Sequence, residues 1–288
     1  MKFSTTNRLV KSLAAPGALL GLPVAANAEW GLNLTPGVTP FSRTIYDLHM
    51  LILWVCVVIG IVVFGLMFYS IMKFRKSQGA QAAQWHESTK VEVLWTLIPF
   101  IILVGIAVPA TKALIMMEDV SGADMTIKVT GYQWKWHYQY VDDGVGFFST
   151  LDADSNNARQ LGADTDPSSV DNYLLSVDNH LVVPINKKIR FLTTAGDVIH
   201  AWWVPALGWK RDAIPGFINE SWATIEEPGI YRGQCAELCG KDHGFMPVVV
   251  EALPEAEYQA WLEKQKAATQ QAAREPATTQ KLVAAAAE

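Results

Sequence analysis

The segment GQCAELCGKDHGFM, residues 233–246, concentrates soft metal ligands in a short stretch of chain. Its potential ligands are Cys235, Cys239, His243 and Met246, and His200 stands upstream in the strand-like run DVIHAWWVP. Thiolate, imidazole and thioether groups together favour copper, and one cysteine with two histidines and a methionine makes a mononuclear blue site. Two thiolates, two imidazoles and a thioether suffice for two copper ions bridged by both sulfurs. The carbonyl of Glu237, between the cysteines, can supply a remaining contact.

Three other uses of the two cysteines stay open at this point. A structural zinc site accepts cysteine pairs but has little use for a methionine. A disulfide between Cys235 and Cys239 fits an oxidising compartment, although it leaves the neighbouring histidines and methionine without a role. A redox-active dithiol normally has the spacing Cys-x-x-Cys, which this segment lacks.

Two apolar segments that precede the cysteines are long enough to cross a membrane. Residues 48–72 contain no acid, lysine or arginine, and residues 93–111 form a second apolar run. We predict membrane spans over about residues 46–72 and 92–114. The loop between them carries Lys73, Arg75, Lys76 and Lys90 against the single acid Glu87. The positive-inside rule therefore places this loop in the cytoplasm and both outer helix ends outside it.

The N-terminus predicts export. Residues 1–28 have a basic head, a short apolar middle and a small-x-small end at Ala26 and Ala28. This pattern is typical of a secretory signal peptide cut after Ala28, with a disordered tail or short anchor as the alternative. Cleavage there leaves residue 29 outside, in agreement with the basic loop. The chain after about residue 118 is then extracytoplasmic.

From residue 124 the pattern changes to the period-two alternation of β-strands. The strand-like runs are MTIKVTGYQWKWHYQYV, NYLLSVDNHLVVP, KIRFLTT, VIHAWWVP, NESWATIEEPG, GIYRGQ and MPVVVEAL. Seven or more short strands predict an all-β Greek-key sandwich over residues 118–270. We place both cysteines on a loop, predict a long surface loop over residues 142–171, and assign residues 271–288 to a low-complexity tail after a helical run.

The exported part is acidic, because residues 118–288 contain 24 acidic and 14 basic side chains. Such a surface disfavours nucleic acid as a partner. It can attract a basic protein by long-range steering, which makes association sensitive to salt.

The string Cys-x-Glu-x-Cys-x3-His-x2-Met, with an upstream Asp-x-x-His and two N-terminal spans, resembles subunit II of haem-copper cytochrome c oxidases in its signal-bearing bacterial form. The resemblance covers about residues 40–265 and is carried most specifically by DVIHAWWVPALGWKRDAIPGFINE and YRGQCAELCGKDHGFMP. It implies a cupredoxin-like domain and a binuclear copper centre. The implied ligands are His200, Cys235, the Glu237 carbonyl, Cys239, His243 and Met246.

The resemblance also implies roles outside the copper ligands. Trp134 corresponds to the tryptophan through which the electron enters, although a packed aromatic would explain it equally well. The Glu237 side chain would face a magnesium or manganese ion shared with subunit I. Glu92 matches a carboxylate at the mouth of a proton channel, with a helix-start charge as its ordinary interpretation. The acids that match a cytochrome c docking face are Asp178, Asp197 and Asp212, and turn aspartates are the alternative for each.

By this resemblance the copper centre accepts electrons from cytochrome c and passes them to the haem-copper centre of subunit I, where oxygen reduction is coupled to proton pumping. The implied partners are subunit I, subunit III, cytochrome c and membrane lipid. The expected location is the bacterial inner membrane, with the copper domain on the periplasmic side. The sequence contains no Cys-x-x-Cys-His, so we expect no haem in this chain. A membrane-anchored copper chaperone is the alternative, but the βαβ pattern of its usual thioredoxin-like fold is missing.

Overall fold

The computed structural model describes the backbone of residues 33–285 and the side chains of residues 33–271. The predicted signal peptide, residues 1–28, lies outside the described residues. Within them, two long helices precede ten strands, and a further long helix follows the last strand.

The first two helices form the predicted membrane hairpin. Helix α1 spans Pro40–Lys73 and helix α2 spans Thr89–Glu118, and both are long and apolar enough to cross a membrane. Thr39 caps α1, because its Oγ1 accepts a 2.9 Å hydrogen bond from the Ser42 N–H while the Ser42 hydroxyl accepts one from the Thr39 N–H. The most apolar stretches of both helices are not buried in the structure, so neither helix is a core helix of the sandwich. The predicted spans lie inside these helices.

Ten strands form two five-stranded sheets. They are β1 (Met125–Tyr132), β2 (Lys135–Tyr140), β3 (Val145–Ser149), β4 (Leu181–Pro184), β5 (Lys188–Ala195), β6 (His200–Val204), β7 (Trp209–Ala213), β8 (Asn219–Thr224), β9 (Gly229–Cys235) and β10 (Pro247–Leu253). One sheet has the order β3-β2-β1-β5-β8 and the other the order β4-β10-β9-β6-β7. Pairing is antiparallel except for β1 with β5 and β4 with β10. The predicted hairpin followed by an all-β sandwich is confirmed.

Aromatic side chains from both sheets fill the space between them. Trp136, Tyr138 and Tyr140 alternate inward along β2 and are fully buried. From the opposite sheet, the Trp202 ring stacks on Phe191 with a centroid separation of 5.3 Å. Burying a side chain of this size contributes roughly 1.5–3 kcal/mol, so each of these rings stabilises the sandwich.

The strand predictions were incomplete in two places. Strand β3 lies inside the stretch predicted as a loop, residues 142–171, because Gly144 adopts a left-handed φ of 68° and turns the chain back so that β3 pairs with β2. Strand β7 was not predicted as a separate strand; it pairs with β6 after a tight turn at Gly208, whose φ is 86°.

Two other predicted elements have different bounds. The run NYLLSVDNHLVVP is extended only over β4, since Asn172 and Leu174 have positive φ angles of 51° and 62°. Helix α4 spans Glu255–Ala285, so the backbone stays helical through most of the predicted tail.

The hairpin is attached to the sandwich at the outer end of both helices. At the start of α1, Phe41 is 2% exposed and the Val38 N–H donates a 3.0 Å hydrogen bond to the Ala206 carbonyl. At the end of α2, the Met116 carbonyl accepts a 3.0 Å hydrogen bond from the Trp222 indole. These contacts fix the sandwich, and the ligand segment within it, relative to the membrane helices.

Candidate metal centre

Two strands and one loop of the same sheet supply the six predicted ligand residues. His200 begins β6 and Cys235 ends β9, and these strands are antiparallel neighbours with Trp202 opposite Cys235. The chain then turns through Glu237 and Cys239 into a 3₁₀ turn, His243–Phe245, before Met246 leads into β10. The prediction that both cysteines lie on a loop was wrong for Cys235, because the β6–β9 ladder extends through that residue.

The ligand atoms fall into two adjacent groups. Cys235 Sγ lies 4.0 Å from His200 Nδ1 and 3.3 Å from the Glu237 carbonyl oxygen. Cys239 Sγ lies 3.5 Å from both His243 Nδ1 and Met246 Sδ. Each sulfur therefore has an imidazole of its own and one further donor.

The two sulfurs are close but not bonded to each other. Their separation is 3.9 Å, whereas a disulfide requires about 2.05 Å. Both thiols are free and buried, with Cys235 6% and Cys239 3% exposed. His200, Cys235 and Cys239 offer ligand atoms that all lie within 4.8 Å of one another. This arrangement matches a shared soft-metal site and not a disulfide.

A carboxylate orients the buried imidazole of His200. Asp197 Oδ1 lies 2.9 Å from His200 Nε2, which leaves Nδ1 directed at Cys235. Asp197 is itself held by the backbone N–H groups of Val198 and Gln133, each at 2.7 Å. Metal-binding histidines commonly have such a carboxylate on the second ring nitrogen. Burial opposes ionisation of Asp197, but these hydrogen bonds outweigh it and hold the pKa of its carboxyl below the ordinary value.

The protein atoms do not stabilise the two thiolates equally. Burial disfavours both, but hydrogen bonds with His200 and the backbone of Glu237 hold the pKa of the Cys235 thiol below its ordinary value. Burial and the adjacent Cys235 sulfur raise the pKa of the Cys239 thiol. Bound metal ions would remove this difference, because a coordinating thiol loses its proton outright. The donor set therefore fits a positively charged metal centre.

Contacts from the other sheet hold the ligand loop. The Gln133 side-chain amide donates a 2.9 Å hydrogen bond to the Cys239 carbonyl. The Met246 carbonyl accepts 3.3 Å hydrogen bonds from the Trp136 indole and from the Cys235 N–H. These bonds connect the loop to the turn between β1 and β2, to β2 itself and, within its own sheet, to β9.

Two glycines permit close packing around the ligands. A Cβ on Gly131 would lie 2.8 Å from the His200 ring, so β1 can approach that ring only because the side chain is absent. Gly240 follows Cys239 with a φ of 120°, and a Cβ there would lie 3.3 Å from the Trp134 ring. Trp134 lies in the turn between β1 and β2 and is half-buried. Its ring therefore lies beside Gly240, the residue that follows Cys239.

The remaining predicted residues lie at different distances from the ligand cluster. The Glu237 side chain is exposed while its carbonyl faces Cys235. Glu92 is exposed in the first turn of α2, about 39 Å along the helix from the end that contacts the sandwich. Asp212 is exposed on β7. Asp178 accepts 2.7 and 2.8 Å hydrogen bonds from the backbone and hydroxyl of Thr150. Of the three predicted docking acids, only Asp197 contacts a ligand residue.

Sequence reasoning missed several residues that support the cluster. The Asp-x-x-His spacing was the available signal that Asp197 could orient His200. Gln133 and Trp136 had only the strand pattern to mark them, which gives no hint that their polar atoms reach the ligand loop. Arg159 lies in the segment predicted as a surface loop and contacts the 3₁₀ turn next to His243.

Comparison with known proteins identifies relatives along most of the chain. The family described as "Cytochrome C oxidase subunit II, periplasmic domain" matches residues 125–253, and its transmembrane-domain counterpart matches residues 27–113. A probable cytochrome c oxidase subunit 2 of Rickettsia prowazekii is 41% identical over 81% of this chain and 72% of its own length. Cytochrome c oxidase subunit 2 of Cereibacter sphaeroides is 34% identical over 83% of this chain and 82% of its own length.

Among solved structures, the periplasmic domain of subunit II of cytochrome oxidase from Bradyrhizobium japonicum is 44% identical. The match covers 51% of this chain and 96% of that domain, with a TM-score of 0.44. The family matches and the sequence relatives together cover both the membrane hairpin and the periplasmic sandwich. The chain therefore belongs to the cytochrome c oxidase subunit II family.

Proposed function

We propose that the chain binds two copper ions and uses them to receive electrons from cytochrome c and deliver them to subunit I of the oxidase. The holding residues would be His200, Cys235, the Glu237 carbonyl, Cys239, His243 and Met246. The observation that carries the proposal is the pair of buried, unbonded sulfurs 3.9 Å apart, each beside its own imidazole. Zinc would leave Met246 without a role.

Copper held by these residues would supply the one-electron chemistry, and the protein would supply binding, orientation and electrostatics. The residues of the chain favour such a site in two ways. His200 is fully buried and held by Asp197, so its ring does not reorient. Met246 is 1% exposed and its backbone carbonyl is doubly hydrogen-bonded, so the loop stays in place and water is kept away.

For electron entry we propose Trp134. Its ring packs against Gly240, directly after Cys239, and it is only half-buried, so it lies between the protein surface and the ligand loop. If cytochrome c docks over this turn, the indole ring would lie between the donor and the copper centre and could carry the electron inward. The acidic surface of the exported part would attract a basic donor. Asp178, Asp197 and Asp212 remain the proposed docking acids.

The other predicted roles belong to the assembled complex. The exposed Glu237 side chain is free to bind a magnesium or manganese ion at the boundary with subunit I. Glu92, exposed on α2, is available to a proton channel at the loop end of the hairpin. With subunit III as a further partner, the assembly would lie in the bacterial inner membrane, with this chain crossing it twice and the sandwich on the periplasmic side.

A membrane-anchored copper chaperone is a weaker candidate. A chaperone must surrender its metal to another protein, which requires thiols that an acceptor can reach. Here both thiols are almost fully buried, and a methionine and a second histidine surround them. These features favour a metal that is retained.

The full chain, purified in detergent and loaded with copper, tests the proposal. We expect two copper ions per chain, no displacement by zinc, and rapid reduction of the copper absorption when reduced cytochrome c is mixed in a stopped-flow instrument. A single copper, or selective zinc binding, would contradict the binuclear centre. Rapid transfer of copper to a metal-free acceptor protein would instead favour the chaperone.

A further inference from the structure

The segment between β3 and β4 folds into a closed excursion from the sandwich. Its two ends are joined, because Leu151 and Val177 form a β-bridge and the Asp178 N–H donates a 3.0 Å hydrogen bond to the Thr150 carbonyl. Between these ends lies a short helix, α3 (Ala153–Ala158). Arg159 caps the C-terminal end of this helix.

Arg159 reaches out of the excursion to the ligand loop. Its Nη1 lies 3.3 Å from Asp242 Oδ1, and both side chains are largely shielded, at 21% and 19% exposure. The guanidinium carbon lies 4.2 Å from the centre of the Phe245 ring. The Arg159 Nε donates a 2.8 Å hydrogen bond to Asn156 Oδ1, which anchors the guanidinium on its own helix.

These contacts flank two proposed copper ligands. Asp242 directly precedes His243, and Phe245 directly precedes Met246. The Asp242 carboxylate makes no capping bond to the 3₁₀ turn, so its observed partner is Arg159. Within the turn the Phe245 N–H donates one 2.9 Å bond to the Asp242 carbonyl. So short a turn has few bonds of its own to fix the direction of His243.

We propose that Arg159 is a positioning residue of the copper centre, which holds the turn that carries His243 and Met246 from outside the ligand set. This inference rests on the proposed copper-binding function. A guanidinium suits the task because its planar group can stack on an aromatic ring while its N–H groups bind a carboxylate. Lysine can retain the ion pair but stacks less well, so Arg159→Lys should be an intermediate variant.

The test uses the full chain in detergent, loaded with copper. Replacing a residue that orients a metal ligand typically weakens metal affinity about 10–100-fold. We expect Arg159→Met to accelerate copper loss to a chelator about tenfold and to alter the copper hyperfine splitting in electron spin resonance. Arg159→Lys should give values of both properties between those of the wild type and Arg159→Met, because lysine keeps the ion pair but stacks less well.

The matched control is Arg190→Met. Arg190 also pairs with a carboxylate, through a 3.0 Å hydrogen bond from its Nε to Glu220, but this pair joins β5 to β8 and contacts none of the proposed ligands. We expect this variant to keep the wild-type spectrum and chelator rate. If both arginine variants lose copper equally fast, the effect comes from general destabilisation and the inference fails.

A second variant tests the same contact from its other side, in case Arg159→Met does not fold. Asp242→Asn keeps the size of the side chain and removes the charge from the opposite side of the contact. The two single variants should raise the chelator rate by similar factors, and the double variant should raise it no further. Wild-type behaviour of Asp242→Asn and Arg159→Met would overturn the inference while leaving the copper centre intact. Failure of the wild-type chain to bind two copper ions would overturn the proposed function itself.

Discussion

The two halves of the metal centre are built by different means. His200 and Cys235 belong to neighbouring strands, so the β6–β9 ladder sets their separation. Cys239, His243 and Met246 follow one another along a loop, and the side chains of Gln133 and Trp136 hold this loop from the opposite side of the sandwich. The first half is fixed by the sheet and the second by individual side chains. Substitutions should therefore affect the halves differently.

The largest expected effect comes from the sulfurs, which both halves share. Cys235→Ser and Cys239→Ser each remove one of two thiolates, and serine is a poor replacement because soft thiolates select copper. We expect either variant to retain at most one copper per chain and to lose electron transfer from cytochrome c. Metal analysis of the purified chains measures this. If either variant kept two copper ions, a jointly shared pair of sulfurs would be excluded.

A smaller effect is expected at the entrance for electrons, which adjoins the loop half. Trp134→Phe removes the indole that packs on Gly240 and leaves all proposed ligands in place. We expect electron entry from cytochrome c to slow by at least several-fold, with an unchanged copper spectrum. Stopped-flow reduction of the assembled oxidase measures the rate. Unchanged kinetics would reduce Trp134 to a packing residue.

A pair of glycines compares the two halves directly in their tolerance of added volume. A Cβ on Gly131 would meet the His200 ring at 2.8 Å, whereas a Cβ on Gly244, in the 3₁₀ turn, would meet nothing within 4 Å. We expect Gly131→Ala to cost about 1–3 kcal/mol of unfolding free energy, the usual range for overpacking. Gly244→Ala should change it by less than about 0.5 kcal/mol.

Chemical denaturation of the two glycine variants measures this difference. The copper spectrum should change in Gly131→Ala, because His200 must move. Equal stabilities and equal spectra for both variants would show that the sheet does not constrain its half of the centre more tightly than the loop does.

The smallest expected effect concerns docking and should leave both halves unchanged. The exported part carries 24 acidic and 14 basic side chains, so a basic donor is attracted over distance. The screening length falls to about 10 Å at 0.1 M salt, and cytochrome c association should slow as ionic strength rises. The copper spectrum serves as the control. An association rate independent of salt would remove electrostatic steering from the account.

The candidate soft ligands could be recognised from the sequence, because four of these side chains lie within one short segment and His200 lies on a recognisable strand. Residues that act through single hydrogen bonds were not predictable in this way. Gln133 and Trp136 reach the loop only because their sheet packs on the sheet that contains β6 and β9, which is a consequence of the tertiary fold. Asp197 was predicted as a docking acid, although its spacing from His200 already allowed the contact that the structure reveals.

Loops were the other weak point of sequence analysis. Residues 142–171 have no periodicity, so neither β3 nor the contact of Arg159 with Asp242 could be inferred from the sequence pattern. The position of Cys235 at the end of a strand was also missed, because Gly233, two residues before it, suggested a loop. Gly233 is required there for close packing, since a Cβ would lie 1.8 Å from the Trp203 carbonyl oxygen.

Electron spin resonance of the full chain, loaded with copper and partly reduced, tests the central claim most directly. If Cys235 and Cys239 are shared by two copper ions, the resonance signal of one unpaired electron should show equal hyperfine splitting from two copper nuclei. Splitting by a single nucleus, or sulfurs that join in a disulfide while copper remains bound elsewhere, would contradict the account.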